Sequence, residues 1–234
     1  FADKDNVEHF AWQTSWGVSW RLIGAMIMAH GDDKGLVLPP KVAPMQVVII
    51  PIYKNNNDKE NVITKVNEIA NILELKNIRI HIDSREELTP GYKFNDWELK
   101  GVPLRIEIGP KDIENQSMVL AKRYNHEKMK MGLNEVDKIV TILDEIQTEM
   151  LKKAKMEAEN NTIDIENYDE FKMKMEKGGF FNSPWCGKLE CEEKIKEETG
   201  AEIRVIPFNS ENTSKECIYC KQQSKAIPIF ARGY

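Results

Sequence analysis

Four cysteines in two close pairs limit what this chain can fold into more than any other feature. Four residues separate Cys186 from Cys191, two separate Cys217 from Cys220, and 25 residues lie between the pairs. Each pair can offer two thiolates from one turn, and two such turns together make a tetrahedral Zn²⁺ site. Sulfur at all four positions leaves no place for water, so the expected metal is structural rather than catalytic. None of His9, His30, His81 or His126 lies near the pairs in sequence. Buried free cysteines are one alternative. A redox Cys217/Cys220 pair is another, although no thioredoxin-like helix follows it. The surrounding segment, with short strands expected at Glu202 to Phe208 and Lys225 to Phe230, is too small for much of a core. Units of that size need a staple.

The compartment bears on how the same cysteines are read. Phe1-Ala2-Asp3-Lys4-Asp5 shows neither the basic start nor the apolar core of a signal peptide. The longest apolar run, Val47 to Tyr53, contains Pro51 and is far short of a bilayer span. A cytoplasmic protein with reduced thiols is therefore expected, and nothing points to a membrane or to DNA. The chain starts without a methionine and reads as a fragment of something longer.

A net charge of −5 argues against indiscriminate binding of nucleic acid, but the charge is uneven. Lys100 to Lys130 holds seven Lys/Arg against four Asp/Glu, whereas Glu135 to Glu202 holds ten against eighteen. The middle of the chain is free to face a polyanion such as tRNA, or is simply a solvated surface.

The apolar pattern divides the chain. Residues 7–12 read as a strand, and Leu22, Ile23, Met26 and Ile27 recur at helical spacing. A turn at His30 to Gly35 leads to a proline-rich boundary near Pro39 to Pro44. Beyond it, strands are expected at Val47 to Ile52, Ile78 to Ile82, Leu104 to Ile108 and Ser117 to Leu120. Helices are expected along Val62, Val66, Ile69 and Leu73, after Pro90-Gly91 as far as Gly101, and from Val136 through Ile146 toward Lys155. This alternation makes residues 44–155 an α/β domain with a parallel or mixed sheet and flanking helices. Residues 156–234 form the small cysteine unit, which opens with an acidic linker or solvated helix at Glu157 to Glu170.

Near the start, Gln13-Thr14-Ser15-Trp16-Gly17-Val18-Ser19-Trp20-Arg21 is a glycine turn entering a helix, with a serine and an arginine at the junction. Helix N-termini and guanidinium groups both suit phosphate, so a phosphate site is one reading. An N-cap serine beside a surface arginine is the other.

That stretch, with Leu22-Ile23-Gly24-Ala25 and His30-Gly31-Asp32-Asp33-Lys34-Gly35-Leu36-Val37-Leu38-Pro39-Pro40, resembles motif 3 of class II prolyl-tRNA synthetases of the archaeal and eukaryotic type. Thr89 to Asp112 is similar to the signature of that family's anticodon-binding domain, and the cysteines with the ending Ile229 to Tyr234 resemble its zinc-binding appendage. The resemblance implies that Arg21 contacts the ATP phosphates as the catalytic arginine, with Ser19 beside the nucleotide. It places Ser15, Trp16 and Gly17 at the border of the proline pocket. Trp20 stands where the family has a small threonine. It also implies base reading by Glu98, Arg105 and Lys111, since proline anticodons share two guanines. Guanine suits an Arg or Lys on O6/N7, or a carboxylate on its N–H edge. Read without the resemblance, Glu98 and Arg105 make a surface ion pair. The family's terminal tyrosine, here Tyr234, folds back toward the active site.

The resemblance thus implies three parts: the end of a class II catalytic domain at 1–43, an anticodon-binding domain at 44–155 and an α+β zinc domain at 156–234. The implied enzyme is a proline–tRNA ligase that uses ATP with Mg²⁺ to activate proline and charge tRNA(Pro), as a homodimer with a structural Zn²⁺. Motifs 1 and 2 are not in the chain, which is therefore expected to be inactive by itself. The alternative is a noncatalytic tRNA-binding module with a structural zinc.

Overall fold

The computed structural model describes residues 1–210 and 214–233, and only the backbone of Asn56 and Asn57; Tyr234 lies outside the described residues. The chain divides into two units, Phe1–Met150 and Leu151–Tyr234.

The first unit is built on a five-stranded mixed sheet in the order β2-β1-β3-β4-β5. Strands β1 (Val47–Pro51), β2 (Ile80–Ile82) and β3 (Leu104–Ile108) run parallel, while β4 (Ser117–Lys122) and β5 (Lys128–Gly132) return antiparallel. Val47 to Ile50 are all fully buried because both faces of β1 are covered. Val47 and Ile49 face helix α2 (Asn56–Leu75), where Val62, Val66, Ile69 and Leu73 supply the stripe read from the sequence. The same core takes in helix α5 (Ile139–Asn160). Val48 and Ile50 face the other way, against Trp97 and Val102 near the end of helix α3 (Pro90–Leu99).

Helix α3 begins where the sequence says it should. Thr89 caps it by accepting from the Tyr92 N–H at 3.3 Å, and Pro90 occupies the first turn. It ends at Gly101, whose φ of +73° suits glycine, and a Cβ there would lie 2.6 Å from the Leu36 backbone. A short helix α4 (Pro110–Glu114) follows β3.

The second unit carries a four-stranded sheet in the order β6-β7-β9-β8. Its strands are β6 (Thr162–Asp164), β7 (Phe180–Asn182), β8 (Ala201–Val205) and β9 (Ile229–Arg232). Helices α6 (Tyr168–Met175) and α7 (Leu189–Thr199) complete it. Phe171 meets Phe181 and Phe230 edge to face, with ring centroids 5.8 and 5.6 Å away.

Several expectations differ from these elements. Residues 7–12 form no strand among the described residues beyond one bridge, Ala2 to Glu8; Phe10 and Trp12 are fully exposed, and an extended segment without a partner strand has no ladder. Strand β5 is absent from the sequence reading because Lys128-Met129-Lys130-Met131 registers there as charge. The expected linker at Glu157 to Glu170 holds the end of α5, strand β6 and the buried Ile165. Acidic composition hid one apolar side chain that the unit buries. Nor is the cysteine unit short of a core, since Phe171, Phe181, Ile195, Ile218 and Phe230 are fully buried in it. Burying Phe171 alone is worth about 3–5 kcal/mol on truncation.

A candidate anticodon cleft and a four-cysteine metal site

Period two along β3 decides which side chains meet. Leu104, Ile106 and Ile108 enter the main core, so Arg105 and Glu107 emerge on the opposite face, beside α3. Register with the neighbours puts Ala121 and then Lys128 on that same face. The result is a cleft of about 200 Å³ lined by Lys34, Trp97, Glu98, Arg105, Lys122, Arg123, His126 and Lys128, among others. Cations outnumber its single lining carboxylate, Glu98, so it suits an anionic or base-rich ligand.

Each charged group in the cleft is held. Arg105 pairs with Glu107 at 3.0 Å, donates to the Phe94 carbonyl at 3.3 Å, and lies over the Phe94 ring at 4.4 Å. Lys128 reaches Glu107 at 3.1 Å and also lies over Phe94. Glu98 is approached by His126 at 3.1 Å and by Lys34 at 3.5 Å. The ion pair of Arg105 is thus with Glu107 and not with Glu98.

Helix α3 is fixed from behind by a buried charge network. Asp83 is fully buried and accepts from Arg85 at 2.9 and 2.7 Å and from the Trp97 indole at 2.8 Å. The Lys93 ammonium, also buried, donates to the Asp83 carbonyl at 3.1 Å. Burial would raise the Asp83 carboxyl pKa, but the Arg85 and Trp97 donors outweigh it and hold it well below the usual carboxylate range.

The sequence-derived residues fall into three groups. Glu98 and Arg105 line one cleft, whereas Lys111 stands exposed on α4 and does not line it. Ser15, Trp16, Gly17, Ser19 and Arg21 lie on an exposed stretch leading into helix α1 (Arg21–His30), where the Ser19 hydroxyl accepts from the Arg21 N–H at 3.4 Å. Among the described residues the Arg21 guanidinium has no ion-pair partner. The third group is the cysteines. The sequence reading misses Asp32, Phe94, Arg123, His126 and Lys128. Phe94 and Asp32 sit inside stretches quoted above, but only the tertiary register shows what they face.

In the second unit the sulfurs of Cys186, Cys191, Cys217 and Cys220 all lie within 4.8 Å of one another. The Cys186–Cys191 and Cys186–Cys220 separations are 3.6 and 3.7 Å. A tetrahedron with Zn–S bonds of about 2.3 Å has sulfurs roughly 3.8 Å apart, whereas a disulfide needs about 2.05 Å. The geometry therefore fits a bound cation and not a pair of disulfides. Burial pushes the Cys186 and Cys191 thiols up, so holding them as thiolates calls for a compensating positive charge. The four cysteines can hold a metal ion such as zinc.

Comparison with known proteins gives the class first. Residues 46–143 match the family model described as an anticodon binding domain, the stretch that carries the cleft. Residues 168–234 match the model described as prolyl-tRNA synthetase, C-terminal, which carries the cysteines. Along its whole length the chain is 54% identical to a proline–tRNA ligase of Cenarchaeum symbiosum and 47% identical to proline–tRNA ligase 2 of Clostridioides difficile. It covers 49% and 48% of those proteins, so it spans about half the length of the curated relatives it matches. The crystal structure of Cryptosporidium parvum prolyl-tRNA synthetase complexed with L-proline and AMP superposes with a TM-score of 0.91 at 41% identity, over 100% of this chain and 50% of that one. The chain therefore carries an anticodon-binding domain and a prolyl-tRNA synthetase C-terminal domain.

Proposed function

We propose that this chain supplies anticodon recognition and motif 3 to a proline–tRNA ligase, which activates proline with ATP and Mg²⁺ and transfers it to tRNA(Pro). The observation that carries this reading is the convergence of Glu98 and Arg105 in one cation-lined cleft of the anticodon-binding domain. A guanidinium presents a rigid fork to guanine O6/N7, and a carboxylate accepts from the guanine N–H edge. Arg105 and Lys128 both lie over the Phe94 ring, which holds the guanidinium in place for such a contact. Lys111, exposed on α4, is assigned to anticodon contact on the resemblance alone.

Arg21 serves as the ATP-phosphate contact with Ser19 beside it, and Ser15, Trp16 and Gly17 border the proline site. The C. parvum enzyme was crystallised with L-proline and AMP, which supports carrying these ligands over. We assign Cys186, Cys191, Cys217 and Cys220 to one structural Zn²⁺, whose charge neutralises buried thiolates and ties the two turns together. The domain limits 1–43, 44–155 and 156–234, a homodimer and a cytoplasmic location complete the reading. The exposure of Arg21, which has no ion-pair partner among the described residues, favours a narrower role for these 234 residues alone: tRNA binding without catalysis. A lone exposed guanidinium is screened by water and contributes about 0–1 kcal/mol.

The test is a titration of the chain with an RNA stem-loop carrying the proline anticodon, and with one in which a single anticodon guanine is replaced by adenine. Preference for the guanine-bearing loop, without proline-dependent ATP–pyrophosphate exchange by the chain alone, is the expected outcome. Equal affinities would remove anticodon reading from the account.

A further inference from the structure

We infer that His126 and Asp32 are positioning residues for base selection, holding the Glu98 carboxylate and the backbone that carries it. Selectivity would then depend on a turn that lies outside residues 46–143, the stretch matching the anticodon-binding family. The inference rests on the reading of Glu98 as a base-reading group.

Glu98 is gripped twice, and both grips pass through Asp32. The first holds the side chain: His126 Nδ1 lies 3.1 Å from Glu98 Oε1, while His126 Nε2 lies 3.3 Å from Asp32 Oδ2. The second holds the main chain. Arg123 donates its Nε–H to the Glu98 carbonyl at 2.9 Å and its two terminal nitrogens to Asp32 at 2.7 and 2.5 Å. The Arg123 side chain is only 3% exposed, so these partners rather than water set the plane of its fork. Hydrogen bonding from Arg123 keeps the Asp32 carboxyl well below the usual carboxylate range, so it remains an anion for both partners.

The turn that carries Asp32 is itself tied to α3. Asp32 and Gly35 form a bridge, and the Leu36 N–H donates to the Leu99 carbonyl at 3.0 Å. Gly35 has φ of +128°, and a Cβ there would lie 2.6 Å from the Leu99 oxygen. Lys34 on the same turn adds the 3.5 Å approach to Glu98. The turn therefore builds one wall of the cleft.

His126 is more than packing requires. Arg123 and Asp32 alone would pin the turn to the end of β4. His126 nevertheless adopts φ of +58°, a conformation that few non-glycine residues take, and it brings the ring between two carboxylates while 41% of the side chain stays exposed. A Glu side chain left to itself samples several rotamers, and freezing it on binding a base lowers affinity for that base. A partner that freezes it beforehand raises selectivity without touching the RNA.

The experiment uses the whole 234-residue chain and the guanine-bearing and adenine-substituted stem-loops described above. The quantity read is the ratio of the two affinities. His126→Ala should lower that ratio by about two- to fivefold, the scale of one half-exposed charge contact. His126→Asn tolerates the same left-handed backbone and places an amide nitrogen near the former Nδ1, so it should recover most of the loss. A full ratio in His126→Ala overturns the inference, and so does a His126→Asn chain no better than His126→Ala. Glu98→Gln tests the underlying reading separately. If that variant keeps the full ratio, Glu98 reads no base; if it loses the ratio while His126→Ala keeps it, only the present inference falls.

Discussion

The cleft carries Glu98 among Lys34, Arg105, Lys122, Arg123, His126 and Lys128, and the neighbouring Glu107 and Asp32 hold Arg105, Lys128 and Arg123 in place before any ligand arrives. Cys186 and Cys191 instead feel burial first, with one backbone N–H on Cys186 and the neighbouring thiols on both. The first arrangement keeps its shape when empty. In the second, a cation in the middle would supply the charge that thiolates call for. The charged cleft and the cysteine cluster thus occupy different units of one chain.

The difference is broken most sharply by removing the metal. Chelation should melt the second unit, since structural zinc contributes on the order of 10 kcal/mol of apparent stability, and should leave the first unit's transition in place. Calorimetry with and without chelator, together with elemental analysis of protein purified without added zinc, checks this. A metal-free chain with an unchanged second transition would contradict it.

Next in size is the buried network behind α3. Asp83→Ala removes the carboxylate that lies 3.8 Å from the buried Lys93 and accepts from Arg85 and the Trp97 indole, and should cost the first unit about 3–5 kcal/mol. The same carboxylate predicts acid sensitivity. Its folded pKa is depressed, so the unfolded chain takes up the proton first. Its stabilisation is therefore present above about pH 4, the unfolded value, and is lost as pH falls below it toward the folded value. Melting the first unit between pH 7 and pH 3 should show a steeper loss for the unaltered chain than for Asp83→Asn. Equal slopes would mean that Asp83 is not the group responsible.

Arg21 sharpens the contrast from another side, because it is neither balanced nor enclosed within these residues. In the longer ligase, Arg21→Ala should cut proline-dependent ATP–pyrophosphate exchange by about two to three orders of magnitude, the scale for one preorganised charge stabiliser. Unchanged exchange would remove the motif-3 assignment.

How much of this could be read from the chain follows the same division. Val62, Val66, Ile69 and Leu73 announce α2, and Thr89, Pro90 and Gly101 bracket α3, because local propensity and burial agree there. The alternation in Leu104-Arg105-Ile106-Glu107-Ile108 already puts Arg105 on the side away from the core. The cysteine spacing already singles out the four residues whose sulfurs cluster. What stays hidden is whatever depends on long-range register: β5, whose lysines pair it with β4 only in three dimensions, and the meeting of Asp32 with Arg123 across 91 residues. Acidic composition likewise conceals β6 and Ile165, since a single buried side chain leaves no period to detect.

The smallest expected effect bears on the central claim, that the cleft reads guanine. Replacing Arg105 by alanine leaves Glu107 paired with Lys128, so the sheet should keep its fold. Affinity for the guanine-bearing stem-loop should fall by about 1–3 kcal/mol, while affinity for the adenine-substituted loop should hardly change. Titration of both loops with both chains at one fixed salt concentration measures the difference. A loss confined to the guanine-bearing loop is the predicted result; equal losses on the two loops would make Arg105 a phosphate contact and contradict the account.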